Sequence, residues 1–442
     1  MPDANGSGRR DGLGTLGHGL FVAIFAFYWI TISPFVDLSG AGAVDPVAGN
    51  SNRLNQLVTF GLFGSLVLFY FVQRRGVTVL QPKLLIGIIL FWILLTSVTA
   101  LHPDLAFKRA VLIGIVVTNA AIVLVLPRTE VDFARLAGYV IMLALLMSYF
   151  GIAFRPNLAI HQASEIREPM NAGLWRGIFP HKNSAAAAMV ISVFFGLFIA
   201  RVWSRAFGWT IIILAVYFLA HTGGKTSTLV LPAILVLGAL VERFGFLRLP
   251  VILGGLLSFN LVAVGAAVSE PLREFVMGLG VDPTFTNRSD IWRYAFSAIA
   301  ERPFFGHGLQ SFWQTESQVY GGGTLETWAA AAYNGHNGYI DTLLELGIPG
   351  LILTVVWLVL LPIRDLGRAQ HRQNNPAMTR LFLRIWLYAL LISCLESLLY
   401  QGGDPLWFCL LFSVFGLRLQ GSARLVPAEP RPAAFAMVPR HA

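Results

Sequence analysis

Residues 183–202 read NSAAAAMVISVFFGLFIARV, a run in which only Arg201 is charged. A helix needs about 20 mostly apolar residues to cross the hydrocarbon core of a bilayer. Lipid offers no water to satisfy exposed peptide groups, so a helix is the conformation in which such a run is stable there. The stretch therefore predicts a transmembrane helix, preceded directly by the polar pair His181-Lys182.

Eleven further stretches share this apolar character. Across the 442 residues, 56% are hydrophobic, only 12% are charged, and the mean hydropathy is +0.67. A soluble domain carries about twice that charged fraction. We therefore expect an all-α polytopic membrane protein with about 12 transmembrane helices. The other predicted spans are residues 16–35, 54–72, 84–101, 110–126, 133–154, 207–220, 226–241, 249–268, 339–361, 381–399 and 406–419.

The positions of the basic residues account for the formal net charge of +9. If the N-terminus is cytoplasmic, 20 of the 32 Lys and Arg residues fall in inward connections or in the two ends of the chain. This is the bias that the positive-inside rule describes. Both termini are then cytoplasmic, and nucleic acid is not needed as a partner to explain the charge.

Two outward segments, 155–182 and 270–338, are longer than a connection requires. Loops longer than about 12 to 15 residues are usually functional or disordered. Both segments contain tryptophan and phenylalanine, which are scarce in disordered chains. We expect 155–182 to fold as an outward loop and 270–338 to form a large helical loop. The remainder divides into an N-terminal tail 1–15, helices one to nine within 16–269, helices ten to twelve within 339–420, and a disordered tail 421–442.

The sharpest local signal is the sequence NGHNG at residues 334–338, where the large loop meets the tenth predicted helix. Exposed peptide N–H groups and the helix dipole disfavour a protonated imidazole at His336, and a general base must be neutral. The flanking glycines allow close backbone approach, and the sequence GIPG at 347–350 allows the helix to bend. These features favour function over the alternative, a polar residue that marks the membrane interface.

A second signal is NRSDIW at residues 287–292, which reads as a helix start with Asn287 as N-cap and Asp290 three residues later. Arg288 then lies in the first turn, where the helix dipole opposes a cation. A bound anion would resolve this conflict, because arginine and exposed N–H groups converge on it. A salt bridge to a nearby acid resolves it equally well.

The outward segment 155–182 ends in cationic residues, against the charge bias of the other loops. Arg176 lies between Trp175 and Gly177 and is the better phosphate candidate. His181 and Lys182 precede the sixth predicted helix, and an interfacial anchor is the ordinary explanation for Lys182. Lys225 is an outward cation near the membrane that could contact an anionic head group.

Several other polar residues have weaker claims. His307 is a rival to His336, but a histidine in a glycine turn is more often solvated than catalytic. Glu396, inside the eleventh predicted helix, either couples protons or hydrogen-bonds another helix. Glu345 could face the same cavity as His336 or only the interface, and Asp404 is expected to cap the twelfth helix. No metal-ligand spacing is visible in the sequence.

These motifs resemble the O-antigen ligase and polymerase superfamily of bacterial envelope glycosyltransferases, which includes exopolysaccharide polymerases. The resemblance rests on His336-Asn337 followed by GIPG at 347–350. It is supported by two arginine motifs, RGIF at 176–179 with Asn183 four residues later, and NRSDIW at 287–292. It covers the topology of nearly the whole chain, whereas the sequence motifs fall only within 176–227 and 287–350.

The resemblance implies a membrane glycosyltransferase (GT-C-like) architecture in the bacterial inner membrane, with the active site and the loop 270–338 in the periplasm. A glycan on undecaprenyl pyrophosphate would be transferred to an acceptor hydroxyl without a metal or another cofactor. His336 would deprotonate the acceptor, while Arg176 and Arg288 hold the pyrophosphate. Substrate contacts would come from Lys225, Lys182, His181 and Asn337.

The acceptor is left open. Polymerases use a lipid-linked repeat unit and ligases use lipid A core, and the run 176–183 is more similar to exopolysaccharide polymerases. A lipid-linked oligosaccharide flippase would instead place charges deep in several helices, whereas Glu396 is nearly the only such charge in this sequence. A non-catalytic assembly protein is a further alternative, in which the arginines and the histidine would be incidental. The implied partners are the glycan donor, the acceptor saccharide, membrane lipids and proteins of polysaccharide export and chain-length control.

Overall fold

The computed structural model describes residues 4–38, 53–73, 78–165, 169–280, 288–313, 332, 334–372 and 375–422. Within these ranges the chain is all-α, because no strand forms and only an isolated bridge joins Ile160 to Trp175. The predicted fold class is therefore confirmed. The expected N-cap Asn287, the aromatic residues Trp328 and Tyr333, and the tail from residue 423 lie outside the described ranges.

Sixteen α-helices occur in the described ranges, several of them short. They are α1 Ala4–Ile30, α2 Arg53–Gln73, α3 Lys83–Val98, α4 Pro103–Val123, α5 Glu130–Phe154, α6 Pro156–Ala159, α7 Lys182–Val202, α8 Arg205–Thr222, α9 Lys225–Arg243, α10 Arg248–Val268, α11 Glu270–Gly278, α12 Arg288–Glu301, α13 Gly338–Val355, α14 Leu361–Arg372, α15 Pro376–Ile392 and α16 Pro405–Ser422. A π-helical turn, Val356–Leu360, joins α13 to α14.

Nine helical segments in the described chain are long and apolar enough to cross a membrane. The other three predicted spans coincide with the shorter helices α3 and α15 and with α16. Each of the twelve predicted apolar stretches therefore contains a helix, and nine meet the length and composition of a span. These are Leu13–Ile30, Arg53–Gln73, Pro103–Val123, Glu130–Phe154, Lys182–Val202, Arg205–Thr222, Lys225–Arg243, Gly245–Val268 and Gly338–Arg372.

The helix α7 lies at the centre of the bundle. Within its span, 78% of the residues are buried, against 17% for α2 and 22% for α9. The small alanine side chains in its first turns allow the start of α9 to pack closely against it. A Cβ on Gly224, next to the start of α9, would lie only 2.4 Å from the Cβ of Ala186. The apolar side chains that α2 and α9 leave exposed, such as Leu57 and Leu229, are suited to contact with lipid.

The eleventh predicted span, 381–399, is wrong at its end. Helix α15 stops at Ile392, and Glu396 lies in a bend beyond it rather than inside a helix. The carbonyl of Ser393 accepts the backbone N–H of Gly338 at 2.8 Å. The carbonyl of Cys394 accepts the side-chain amide of Asn337 at 3.0 Å. These bonds from the start of α13 replace the helical hydrogen bonds that would have continued α15.

The helix α13 is kinked at Gly347, whose φ of 66° and ψ of −175° are not helical. A Cβ here would lie 2.0 Å from the carbonyl oxygen of Phe304. The turn 303–308 therefore enters the kink, and the N–H of Ile348 donates to the carbonyl of Pro303 at 2.9 Å. The predicted bend is confirmed, and its cause is the docking of this turn.

Candidate active site

The His336 loop, residues 334–337, leads directly into α13. His336 has a φ of 46°, in the left-handed region that non-glycine residues seldom occupy. Its backbone N–H donates to Oδ1 of Asn334 at 3.0 Å, which holds this conformation. The side chain remains 28% exposed, so part of the imidazole is accessible at the protein surface while its backbone is fixed.

Asn337 fixes the end of this loop. Its Oδ1 caps α13 by accepting the N–H groups of Tyr339 and Ile340 at 3.0 and 3.1 Å. Its amide nitrogen donates to Oδ1 of Asn260 at 2.9 Å and to the carbonyl of Cys394 at 3.0 Å. The side chain is completely buried. These bonds give Asn337 a structural role, and its predicted contact with substrate stays a prediction.

The buried carboxylate of Asp341 holds the other side of the loop. It accepts the backbone N–H of Gly335 at 2.9 Å and the indole N–H of Trp313 at 3.0 Å, and it also accepts the hydroxyl of Ser397. The carbonyl of Gly335 accepts the indole N–H of Trp292 at 2.8 Å. Sequence reasoning missed Asp341, although an acid in the first turn after an N-cap is a recognisable signal.

Glu396 brings the predicted site residues together. Its Oε1 accepts a hydrogen bond from Nη2 of Arg288 at 3.0 Å and another from Nδ2 of Asn183 at 2.9 Å. Its Oε2 lies 3.6 Å from Nδ1 of His336. Arg288 begins α12, Asn183 lies in the first turn of α7, and His336 precedes α13. Three helix starts therefore meet at one carboxylate.

The charge of this cluster follows from its contacts. Burial raises the pKa of the Glu396 carboxyl, but the adjoining His336 ring and the positive charge of Arg288 more than offset this and hold the pKa below its usual value. Glu396 is therefore ionised at neutral pH, and the salt-bridge alternative for Arg288 is present. Because Nδ1 of His336 faces the carboxylate, Nε2 is the nitrogen left to accept a proton.

Arg176 lies apart from this carboxylate. Its guanidinium is fully buried, with Nη1 donating to the carbonyl of Phe179 at 3.3 Å and Nη2 to that of Val36 at 2.6 Å. Burial lowers the pKa of Arg176, while Glu165 and Asp37 oppose the shift. The structure thus does not place Arg176 on the carboxylate that joins the other two catalytic candidates, and its contact with pyrophosphate stays a prediction.

A buried histidine and glutamate position the start of α7. His161 Nδ1 lies 2.7 Å from Oε2 of Glu165, and Nε2 accepts the backbone N–H of Lys182 at 3.1 Å. Burial lowers the pKa of His161, although Glu165 opposes this. His181 caps α7, its Nδ1 accepting the N–H of Asn183 at 3.1 Å. The segment 155–182 therefore orients Asn183, and its predicted substrate contacts at His181 and Lys182 stay predictions.

Lys225 is exposed at the first position of α9. This helix starts beside the first turns of α7, as the close approach of Gly224 to Ala186 indicates. The described contacts do not join Lys225 to Glu396. Its side chain is exposed, and its predicted contact with substrate stays a prediction.

Comparison with known proteins adds an independent observation. The O-antigen ligase family matches residues 208–355. This matched segment is about a third of the chain. The segment contains Lys225, Arg288 and His336. The exopolysaccharide production protein ExoQ of Rhizobium meliloti (strain 1021) is 27% identical over 139 residues, which are 30% of this chain and 29% of that protein. The match thus spans less than a third of the relative's length.

Two other candidates inside the matched segment are buried. His307 is only 3% exposed and its Nε2 contacts the carbonyl of Ala298 at 2.9 Å, so the expectation of a solvated histidine is wrong. Glu345 is buried too, and its backbone carbonyl accepts the N–H of Gly308 at 2.9 Å. Neither contacts the Glu396 carboxylate.

Two residues of the cluster, Asn183 and Glu396, lie outside the matched segment. Of the two interpretations of Glu396, proton coupling and a hydrogen bond to another helix, its bonds to Asn183 and Arg288 agree with the second. Asp404 caps α16 as expected, accepting the N–H of Leu406 at 2.6 Å. Among the described residues, no group of three or more His, Cys, Asp or Glu could hold a metal ion.

Proposed function

We propose that this protein transfers a glycan from undecaprenyl pyrophosphate to an acceptor hydroxyl at the periplasmic face of the inner membrane, and that it polymerises repeat units of exopolysaccharide or O-antigen. The observation that carries this proposal is the convergence of Arg288 and His336 on Glu396. The family match and the exopolysaccharide relative support a ligase-like or polymerase-like role in polysaccharide synthesis.

In the proposed reaction, Nε2 of His336 accepts the proton of the acceptor hydroxyl. The acceptor oxygen forms a bond to the anomeric carbon of the donor as the bond from that carbon to the phosphate oxygen breaks. The electron pair leaves with the pyrophosphate. Glu396, whose Oε2 lies 3.6 Å from Nδ1, stabilises the imidazolium cation that forms.

Arg288 has the second role, which is to balance the charge that develops on the departing pyrophosphate. Its guanidinium can form two parallel bonds to phosphate oxygens. In the free protein one of its nitrogens is bonded to Glu396. The donor therefore has to compete with Glu396 for Arg288, and a diphosphate carries more negative charge than one carboxylate. The proposal needs no metal, because arginine supplies the positive charge.

The test is transfer by membranes supplied with lipid-linked repeat units. We expect His336→Ala and Arg288→Ala each to lower the rate by about 100-fold or more. The control on the same helix is Arg293→Ala, which removes an exposed ion pair with Asp290 and a bond to the carbonyl of Ala267. It removes no contact with Glu396, so the rate of transfer at equal protein level should change little. Normal polymer from both variants, at normal protein levels, would show the proposal to be wrong.

The acceptor is a separate question, because the family is described as O-antigen ligase. Supplying lipid A core in place of a second repeat unit tests this alternative. A ligase would form product only with lipid A core, whereas a polymerase would form a ladder from repeat units alone.

A further inference from the structure

A charged cavity lies at the end of α7 that is opposite to the candidate active site. It has a volume of about 300 Å³ and is lined by Arg201, Arg205, Arg380 and Arg384. Arg201 is in the last turn of α7, whereas Asn183 of the candidate active site is in the first. At 1.5 Å per residue, the helix separates the two sites by roughly 30 Å, the thickness of the hydrocarbon core. The cavity therefore faces the opposite leaflet.

The charge in this cavity is poorly compensated. No acid occurs among the described residues that line it. Arg380 is paired with Glu242, its Nε lying 3.0 and 2.9 Å from the two carboxylate oxygens. The other three arginines, 201, 205 and 384, have no ion pair to a described acid within 4.0 Å.

The positions of these arginines are unfavourable without a ligand. Arg380 and Arg384 are four residues apart on α15, a spacing at which like charges destabilise a helix. Arg205 is the first residue of α8, where the helix dipole opposes a cation. Each of these conflicts would be relieved by an anion between the guanidinium groups, which bind phosphate oxygens well.

The rest of the lining is apolar. Leu197, Trp209 and Leu381 border the cavity, and Trp209 is 48% exposed. A tryptophan in this position is typical of the membrane interface. The site thus combines cationic groups with an adjoining apolar wall at the depth of the lipid head groups, and basic pockets between membrane helices bind anionic lipid heads.

We propose that this cavity binds the phosphate of an anionic phospholipid from the leaflet opposite the candidate active site, with the acyl chains along Leu197, Trp209 and Leu381. The bound lipid neutralises the arginines and ties α7 to α8 and α15. The inference does not depend on the proposed transfer reaction, since it uses other residues at the other end of α7.

The experiment measures thermal unfolding of the full-length protein in a neutral detergent. Phosphatidylglycerol should raise the unfolding temperature by about 3 °C or more, whereas phosphatidylcholine should raise it by less than about 1 °C. Glycerophosphoglycerol provides the same phosphodiester anion without acyl chains. If it stabilises the protein as much as phosphatidylglycerol does, a soluble anion occupies the site and the lipid proposal is overturned.

The variants locate the effect. Arg201→Gln and Arg384→Gln should each remove at least half of the shift caused by phosphatidylglycerol. The control is Arg368→Gln, because Arg368 lies outside the cavity. Its ion pair with Asp365 is long, at 4.0 Å, and Asp365 keeps its closer partner Arg418 at 2.8 Å. An equal shift in all three variants, or none in the wild type, would overturn the proposal. Using two cavity variants guards against one that fails to fold.

Discussion

At the scale of single residues, Glu396 determines how the candidate site is assembled. One carboxylate oxygen serves Arg288 and Asn183, and the other faces His336. Removing one partner of a largely desolvated charge pair leaves the other charge unsatisfied. Glu396 therefore affects both the stability of the loop and the orientation of the proposed base.

The low pKa of Glu396 predicts a pH-dependent contribution to stability. A carboxyl whose pKa is lower in the folded state than the unfolded value of about 4.3 stabilises the protein above that value. The contribution is lost as the pH falls through the lower, folded pKa. The difference in unfolding temperature between wild type and Glu396→Gln should therefore be largest near neutrality and should shrink as the pH falls below about 4.

The control is Asp104→Asn, because the ion pair of Asp104 with Lys108 is largely exposed. Thermal unfolding of the two variants and the wild type over this pH range makes the measurement. A difference for Glu396→Gln that stays constant down to acid pH would contradict an ionised, paired carboxylate.

Arg176 allows a second prediction, which separates a structural role from a substrate contact. Its terminal nitrogens bond two backbone carbonyls, and a lysine cannot reproduce this fork. Arg176→Lys should lower stability by about 1–3 kcal/mol, because a buried acceptor loses its donor. The exposed Arg155→Lys in the same segment should be close to neutral. Loss of transfer at an unchanged unfolding temperature would instead indicate that Arg176 contacts substrate.

The sequence predicts part of this cluster, and the reason is physical. The position of His336 before a helix and that of Arg288 in a first turn depend on neighbours in the chain, so local patterns reveal them. The contact of Arg288 with Glu396 joins residues 108 apart, and no local pattern encodes it. The burial of Arg176 is only partly local, because the carbonyl of Phe179 is three residues away, whereas that of Val36 is 140 residues away and no local pattern encodes its contact.

At the scale of helices, hydrophobic runs predict well that a helix exists, but they predict its first and last residues less well. Residues 381–399 are continuously apolar apart from a few positions, so hydropathy alone extends α15 beyond Ile392. What ends the helix is the arrival of Gly338 and Asn337 at the carbonyls of Ser393 and Cys394. The kink in α13, unlike the end of α15, is predicted by the local sequence GIPG.

Gly347→Ala tests that kink. The backbone conformation of Gly347 is one that only glycine occupies readily, and other residues lose about 1–3 kcal/mol there. The added Cβ would also lie 2.0 Å from the carbonyl oxygen of Phe304. We expect a marked fall in the unfolding temperature and displacement of the turn 303–308. The control is Gly254→Ala in α10, where a Cβ meets nothing within 4 Å and alanine should be neutral or stabilising.

At the scale of the whole molecule, the predicted orientation can be tested with cysteine chemistry. Both native cysteines are buried, at 1% and 0% exposure, and burial raises the pKa of the Cys394 thiol to about 12. Neither should react with a membrane-impermeant maleimide, so any labelling comes from the introduced cysteine. Ser297→Cys on α12 should react in cells with an opened outer membrane, and His371→Cys on α14 only after lysis. The reverse pattern would place the candidate site in the cytoplasm.

The bond between Asn183 and Glu396 has a consequence for attempts to transplant the chemistry. The matched segment 208–355 carries Arg288 and His336 but neither of these partners. A chimera that borrows only this segment would inherit a base and a cation without the acid that orients them. Exchange between relatives should therefore preserve activity only if the host supplies an amide and a carboxylate from its own flanking helices.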